Sequence, residues 1–174
     1  MKIKQELVKY RELFENELHN NILSYWMKYG VEKEGDGFYP AVDLDNNPVL
    51  TANKTCVLNV RILWTFAAAA RRYHGKGYGE IAHKAYRVLD EDFADKSLGG
   101  YYMELSADNK IVNDIKHTYA QAFVIYSLCK YYEFNPTEEV MNGIQEFFYF
   151  LDDKTKDPEY PGYLESFTRD WKPF

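Results

Sequence analysis

Few side chains in this sequence combine the chemistry and the setting needed to handle charge or protons. Arg61 lies within TCVLNVRILWTFAAAARRY (55–73), the most apolar run of the chain. A permanent cation there calls for an acidic partner or for a cavity to face. Tyr119 falls early in a second apolar run, HTYAQAFVIYSLCKYY (117–132), and suits either a core aromatic or a polar-tipped ligand wall. Histidine is the side chain best suited to proton transfer near neutrality. Of the four, His19, His74 and His83 fall on outward-type helices or at a helix end, where solvated or capping roles are expected. His117 heads an apolar helix and is the one placed for a contact role. Asn59, Lys116 and Gln121 flank Arg61 and Tyr119, and each is expected to cap, bridge or hydrogen-bond in preference to touching a ligand.

Paired carboxylates would mark a glycosidase. Asp43, Asp45, Asp108 and Asp114 fall in loops, but Asp45 and Asp108 recur in register, which a turn explains. Glu165, Arg169, Asp170 and Trp171 form a third loop, read as an ion-pair cluster pinning a strand-turn, with Trp171 alternatively able to stack on a sugar ring. No Gly-rich phosphate loop, nucleophile elbow or Cys/His metal spacing is present, so neither a cofactor nor a metal is expected. Cys56 and Cys129 both sit in apolar helical runs and are expected as buried, reduced thiols.

These residues must be held by helices. From residue 2 to 29, Ile3, Leu7, Tyr10, Phe14, Leu18 and Ile22 recur at helical spacing, and the same amphipathic pattern returns over 77–93. Between and after them, 55–73 and 117–132 are apolar nearly all round, as for helices covered on every side. Pro136 suits the first turn of a fifth helix, striped by Val140, Ile144, Phe147, Phe148 and Leu151. Outer and inner types alternate, which suits a two-layered ring of helical hairpins.

A repeat joins the layers. GDGFYPAVDLDNNP (35–48), LGGYYMELSADNKI (98–111) and YPGYLESFTRDWKP (160–173) each carry a Gly followed by an aromatic residue and an Asp eight residues after that Gly. Each reads as a short strand entering a turn, and the repeating unit is strand-turn, inner helix, outer helix. Fewer than three such units fit into 174 residues, where a closed ring of this kind needs about six.

Composition narrows the ligand. With 46% hydrophobic residues the chain can bury a core, and its 16 Tyr favour a surface that is apolar and hydrogen-bonding at once, as a sugar site is. A net charge of −6 and a pI near 5.3 argue against nucleic acid or an anionic membrane as partner. No apolar stretch reaches signal or membrane-span length, so a cytoplasmic protein is expected.

NVRILWTFAAAARRY, GGYYMELSADN, KHTYAQAFVIYSLCKYYE and GYLESFTRDW are, in that order, similar to blocks of the cellobiose 2-epimerase branch of the N-acylglucosamine 2-epimerase family. The resemblance implies an all-α fold, a partial (α/α)6 barrel in which residues 1–174 form a single domain ending before the sixth helix. It also implies cofactor-free inversion at C2 of a reducing-end sugar, a disaccharide or an N-acyl hexosamine, through an enediolate. By the same resemblance Arg61 contacts the substrate near the reacting oxygens and Tyr119 reaches the sugar, with Asn59, Lys116, His117, Gln121 and Trp171 as further candidate contacts. The family's proton-transfer histidines fall on inner helices outside this sequence, so the chain alone is expected to be an inactive part of the sugar wall. Other readings are a non-enzymatic helical-repeat module that binds a protein or its own copy through an open edge, one half of a split enzyme that meets a C-terminal half there, and a fragment of an (α/α)6 glycoside hydrolase.

Overall fold

A computed structural model describes residues 2–174, with side chains from residue 3 onward. The chain gathers into two compact units, residues 1–50 and 51–174.

In the first unit α1 (Lys2–Glu17) runs on through π-helical turns at Leu18–Leu23 and Trp26–Gly30, so the helix has the span expected of 2–29. Pairs four residues apart support it, including Arg11 Nε to Glu15 Oε1 at 3.2 Å. Its stripe of Ile3, Leu7, Tyr10 and Phe14 is exposed.

In the second unit four helices form two layers. They are α2 (Cys56–Arg72), α3 (Tyr78–Val88, extended by a π-helical turn Leu89–Phe93), α4 (Thr118–Phe134) and α5 (Glu138–Thr155). The side chain of Thr55 caps α2 by accepting from Leu58 N at 3.2 Å, and Thr137 caps α5 by accepting from Val140 N at 3.3 Å. Pro136, expected in the first turn of that helix, stands just before it because the Thr137 hydroxyl takes the cap.

Helix α2 packs against α3 and α4, and α4 packs against α5. The inner pair α2 and α4 with α3 and α5 behind them is part of an (α/α)6 barrel. Val60, Leu63, Phe66 and Ala67 of α2 meet a core shared with Ala82 and Ala85 of α3 and Ala120 and Val124 of α4, all buried. The inner helices are not covered on every side, however. Arg61 of α2 and Tyr119, Phe123 and Tyr126 of α4 stay exposed. Cys129 shares this fate: expected in the core, it is exposed, while Cys56 is buried and its thiol is pushed up to about 12 by that burial. An all-round apolar helix is suited to complete cover, but nothing among the described residues covers this face of α4.

Short strands tie the helices together. β1 (Lys54–Thr55), β2 (Glu104–Leu105) and β3 (Ile111–Asn113) form one antiparallel sheet, and β4 (Lys116–His117) pairs with β5 (Ser166–Phe167). The three repeated elements share one turn. In each, the fourth residue donates its N–H to the carbonyl of the first: Asn46 to Asp43, Asn109 to Ser106, and Trp171 to Thr168. The side-chain oxygen of that first residue accepts from the backbone N–H of the fifth, at 2.8, 3.0 and 3.1 Å. The fourth residue is left-handed in all three, with φ of 64, 60 and 63°. Asparagine tolerates that conformation; a bulky residue pays about 1–2 kcal/mol for it. Trp171 is held there by edge-on packing on Phe150 at 5.2 Å and by an indole N–H donated to Leu98 O at 3.0 Å.

Candidate functional site

The open face of α2 and α4 is built by helical spacing. Arg61 and Trp64 lie one turn apart on α2, while Tyr119, Phe123, Tyr126 and Lys130 recur every three or four residues on α4. The rings form a continuous run, Tyr119 to Phe123 at 6.3 Å and Phe123 to Tyr126 at 6.2 Å, with Tyr126 stacked on Trp64 at 5.6 Å and 12°. The Arg61 guanidinium lies 5.9 Å above the Phe123 ring, and Lys130 Nζ lies 5.6 Å from the Trp64 ring. Val60, Arg61, Trp64, Thr65, Phe123 and Tyr126 bound a cleft of about 120 Å³. Trp64 Nε1 is buried there with no hydrogen-bond partner.

Arg61 resolves one choice left open by its sequence setting. Among the described residues no carboxylate pairs with it, and it faces the cleft. Tyr119 is 47% exposed and stands beside the same run of rings. At the strand end of that run, His117 is 6.1 Å from the Tyr119 ring. Its Nδ1 is 3.1 Å from Ser166 Oγ and 3.7 Å from Glu165 Oε1.

The other candidate contacts sit inside the wall. Asn59 is buried and donates Nδ2–H to Ala85 O at 2.9 Å, tying α2 to α3. Gln121 closes a reciprocal pair with the Tyr101 backbone, accepting from its N–H and donating to its C=O, both at 2.9 Å. Lys116 is on the opposite side of β4 from His117, and its amine is wholly buried 3.2 Å from Asp95 Oδ2, with the rings of Tyr102 and Trp171 at 4.9 and 5.9 Å. Burial lowers this lysine below its usual value, opposed by Asp95. Burial likewise works against ionising Asp95. Hydrogen bonds from Arg169, Ser97 and Lys116 prevail and hold its carboxyl far below the usual carboxylate range. Trp171 is buried over this group.

The third loop therefore differs from the expected cluster of Glu165, Arg169 and Asp170. Arg169 pairs with Asp95, Asp170 with Lys172 at 2.8 Å, and Glu165 faces His117. Distance in sequence hid the Asp95 pairing. Phe123, Tyr126 and Trp64 were also missed as wall residues, although the spacing of 119, 123 and 126 on one helix was available as a signal. Asp43 and Asp108 are turn residues, and Asp108 is drawn down to about 2 by hydrogen bonds from Lys110 and Ser106. Among the other histidines, His83 bonds the Tyr131 hydroxyl at 2.6 Å on an outer helix.

A larger apolar groove of about 240 Å³ lies apart from this chemistry, between α4 and α5, where Ala122, Ile125, Phe148, Leu151 and Tyr163 line it. Among the described residues no group of three or more His, Cys, Asp or Glu side chains could hold a metal ion, and no helix is long and apolar enough to cross a membrane.

The family model described as N-acylglucosamine 2-epimerase (GlcNAc 2-epimerase) matches residues 37–174. A cellobiose 2-epimerase of Bacteroides fragilis is 33% identical over 169 residues, which is 97% of this chain and 41% of that protein. The structure of a cellobiose 2-epimerase from Spirochaeta thermophila overlays with a TM-score of 0.90 at 29% identity, covering 98% of this chain and 42% of its own. One from Bacillus thermoamylovorans gives 0.89 at 31%, covering 95% and 42%. The chain thus spans about two fifths of the length of the relatives it matches.

Proposed function

Because the chain belongs to the N-acylglucosamine 2-epimerase family, we propose that the face carrying Arg61 and Tyr119 is one wall of a sugar site in a carbohydrate 2-epimerase. The reaction removes the proton at C2 beside the C1 carbonyl of an open-chain sugar and returns it to the other face. Negative charge develops on the enediolate oxygens between the two steps, and a forked, permanently charged donor is the group that stabilises it best. The observation carrying this reading is the setting of Arg61, on an inner helix yet without a carboxylate partner among the described residues and open to an aromatic cleft. Aromatic rings along α4 suit the apolar faces of a sugar, and the Tyr119 hydroxyl suits its hydroxyl edge. Cellobiose is favoured over an N-acyl hexosamine, since cellobiose 2-epimerases recur among the relatives.

The acid and base implied by the resemblance are histidines outside these 174 residues, so residues 1–174 alone bind sugar without turning it over. The test is an NMR titration of the chain with cellobiose and with N-acetylmannosamine, and incubation of each in D2O. Binding that weakens at least tenfold in Arg61→Ala, with no deuterium at C2, is expected. Equal binding by the variant, or exchange at C2 by the chain alone, overturns the reading.

The groove between α4 and α5 supports a second reading of the open edge, as the seat for a further inner helix, supplied by a C-terminal half or by another copy. Light scattering of the chain with and without added polypeptide distinguishes these occupants.

A further inference from the structure

We infer that Ser166 and Glu165 are positioning residues that fix the tautomer of His117, making its Nε2 a hydrogen-bond acceptor for a sugar hydroxyl beside Tyr119. This rests on the sugar-wall reading above and deepens it. The pairing of β4 with β5 sets His117 directly opposite Ser166 and Lys116 opposite Phe167. Cross-strand partners share a face, so His117 and Ser166 share one side while Lys116 and Phe167 are buried on the other. The register is pinned on the helix side as well. Thr118 N–H donates to Glu165 O at 2.9 Å, and the Thr118 hydroxyl donates to Leu164 O at 2.5 Å.

Two oxygens thus converge on one ring nitrogen, Ser166 Oγ at 3.1 Å and the Glu165 carboxylate at 3.7 Å. An ionised carboxylate only accepts, and a serine hydroxyl can accept from the ring while donating elsewhere. The carboxylate therefore favours a proton on Nδ1, and the serine hydroxyl accommodates it by accepting. In a neutral imidazole that leaves the lone pair on Nε2, at the edge of the ring away from the strand. His117 is partly exposed, next to the aromatic run that leads from Tyr119 to the Arg61 cleft. A sugar hydroxyl entering that space meets an acceptor at Nε2, with the Tyr119 ring 6.1 Å from the imidazole.

The test combines imidazole 15N–1H correlation spectra at about pH 8 with cellobiose titrations of the same samples. His117 is identified by the signal lost in His117→Gln. The Nδ1–H tautomer is expected in the wild-type chain, moving to Nε2–H in the Glu165→Gln/Ser166→Ala double variant. Cellobiose affinity is expected to fall about fivefold in His117→Gln and in the double variant, with helix content unchanged by circular dichroism. An Nε2–H tautomer in the wild type overturns the inference. So does undiminished binding in His117→Gln while Arg61→Ala weakens it, and in that case the sugar-wall reading stands. Should the chain bind no cellobiose, that reading falls and takes the role of Nε2 with it, while the spectra still decide whether Ser166 and Glu165 set the tautomer.

Discussion

Asp95 and Arg169, 74 residues apart, meet in a two-point contact, Nε to Oδ2 at 2.8 Å and Nη2 to Oδ1 at 3.1 Å. Through it the loop after α3 holds the third strand-turn, and the same carboxylate neutralises the buried Lys116 that starts the wall under His117 and Tyr119. Arg169 also donates to the Tyr102 hydroxyl at 3.0 Å and to Ser97 Oγ at 3.1 Å, so a single side chain joins two loops.

Removing Asp95 strands a buried ammonium. Asp95→Ala is expected to cost about 3–5 kcal/mol, because the amine of Lys116 has no other anionic contact at hydrogen-bond distance among the described residues. Urea unfolding of the two proteins measures it. Replacing Lys116 together with Asp95, by Met and Ala, is expected to recover much of the loss, since both buried charges are then gone; no recovery would place the cost in the Arg169 contact.

The same carboxylate sets an acid limit. Its folded pKa lies below the ordinary value near 3.9, so in the window beneath about pH 4 the unfolded chain takes up a proton that the folded chain refuses. Its contribution is complete above about pH 4–5 and is lost as the pH falls toward the folded value. Between pH 5 and 3 the urea midpoint should drop more steeply in the wild type than in Asp95→Asn. Parallel profiles would assign acid sensitivity to other carboxylates, such as Asp108.

The repeated turns were legible in the sequence because every bond in them spans five residues or fewer. Gly spacing, Asp and Asn announced them at 43–47 and 106–110, and Pro136 announced the start of α5 in the same local way, two residues early. The Asp95–Arg169 pair left no such trace, since nothing near either residue names its partner. Nor did the open face. An apolar run tells that α4 can be covered at Cys129 and Phe123, whereas actual cover depends on which helices are adjacent. The π-helical turns at 18–23 and 89–93 carry no residue type that marks them. Arg61 was legible as a problem, a cation in an apolar helix, and only the packing chose between its two solutions.

Trp171 tests how far the turn repeat governs stability. Trp171→Ala removes a buried ring and keeps a left-handed residue with a Cβ, for an expected cost of about 3–5 kcal/mol. Trp171→Asn loses the same packing but restores the residue found at positions 46 and 109. It should be about 1 kcal/mol less damaging than the alanine variant. Equal losses in chemical denaturation would mean that the backbone of this turn is not strained by its tryptophan.

Arg61 separates a functional from a structural role most cleanly. Exposed and unpaired among the described residues, it contributes little to folding, so Arg61→Ala should shift stability by no more than about 0.5 kcal/mol. Arg61→Lys keeps the charge but loses the planar fork that can grip two oxygens and lie over Phe123. Cellobiose affinity is therefore expected to rank wild type above the lysine variant and the lysine variant above alanine, with near-constant urea midpoints throughout. If the alanine variant instead loses more than about 1 kcal/mol of stability while binding is unchanged, the guanidinium serves the helix pair through Phe123, and the sugar wall must be sought elsewhere.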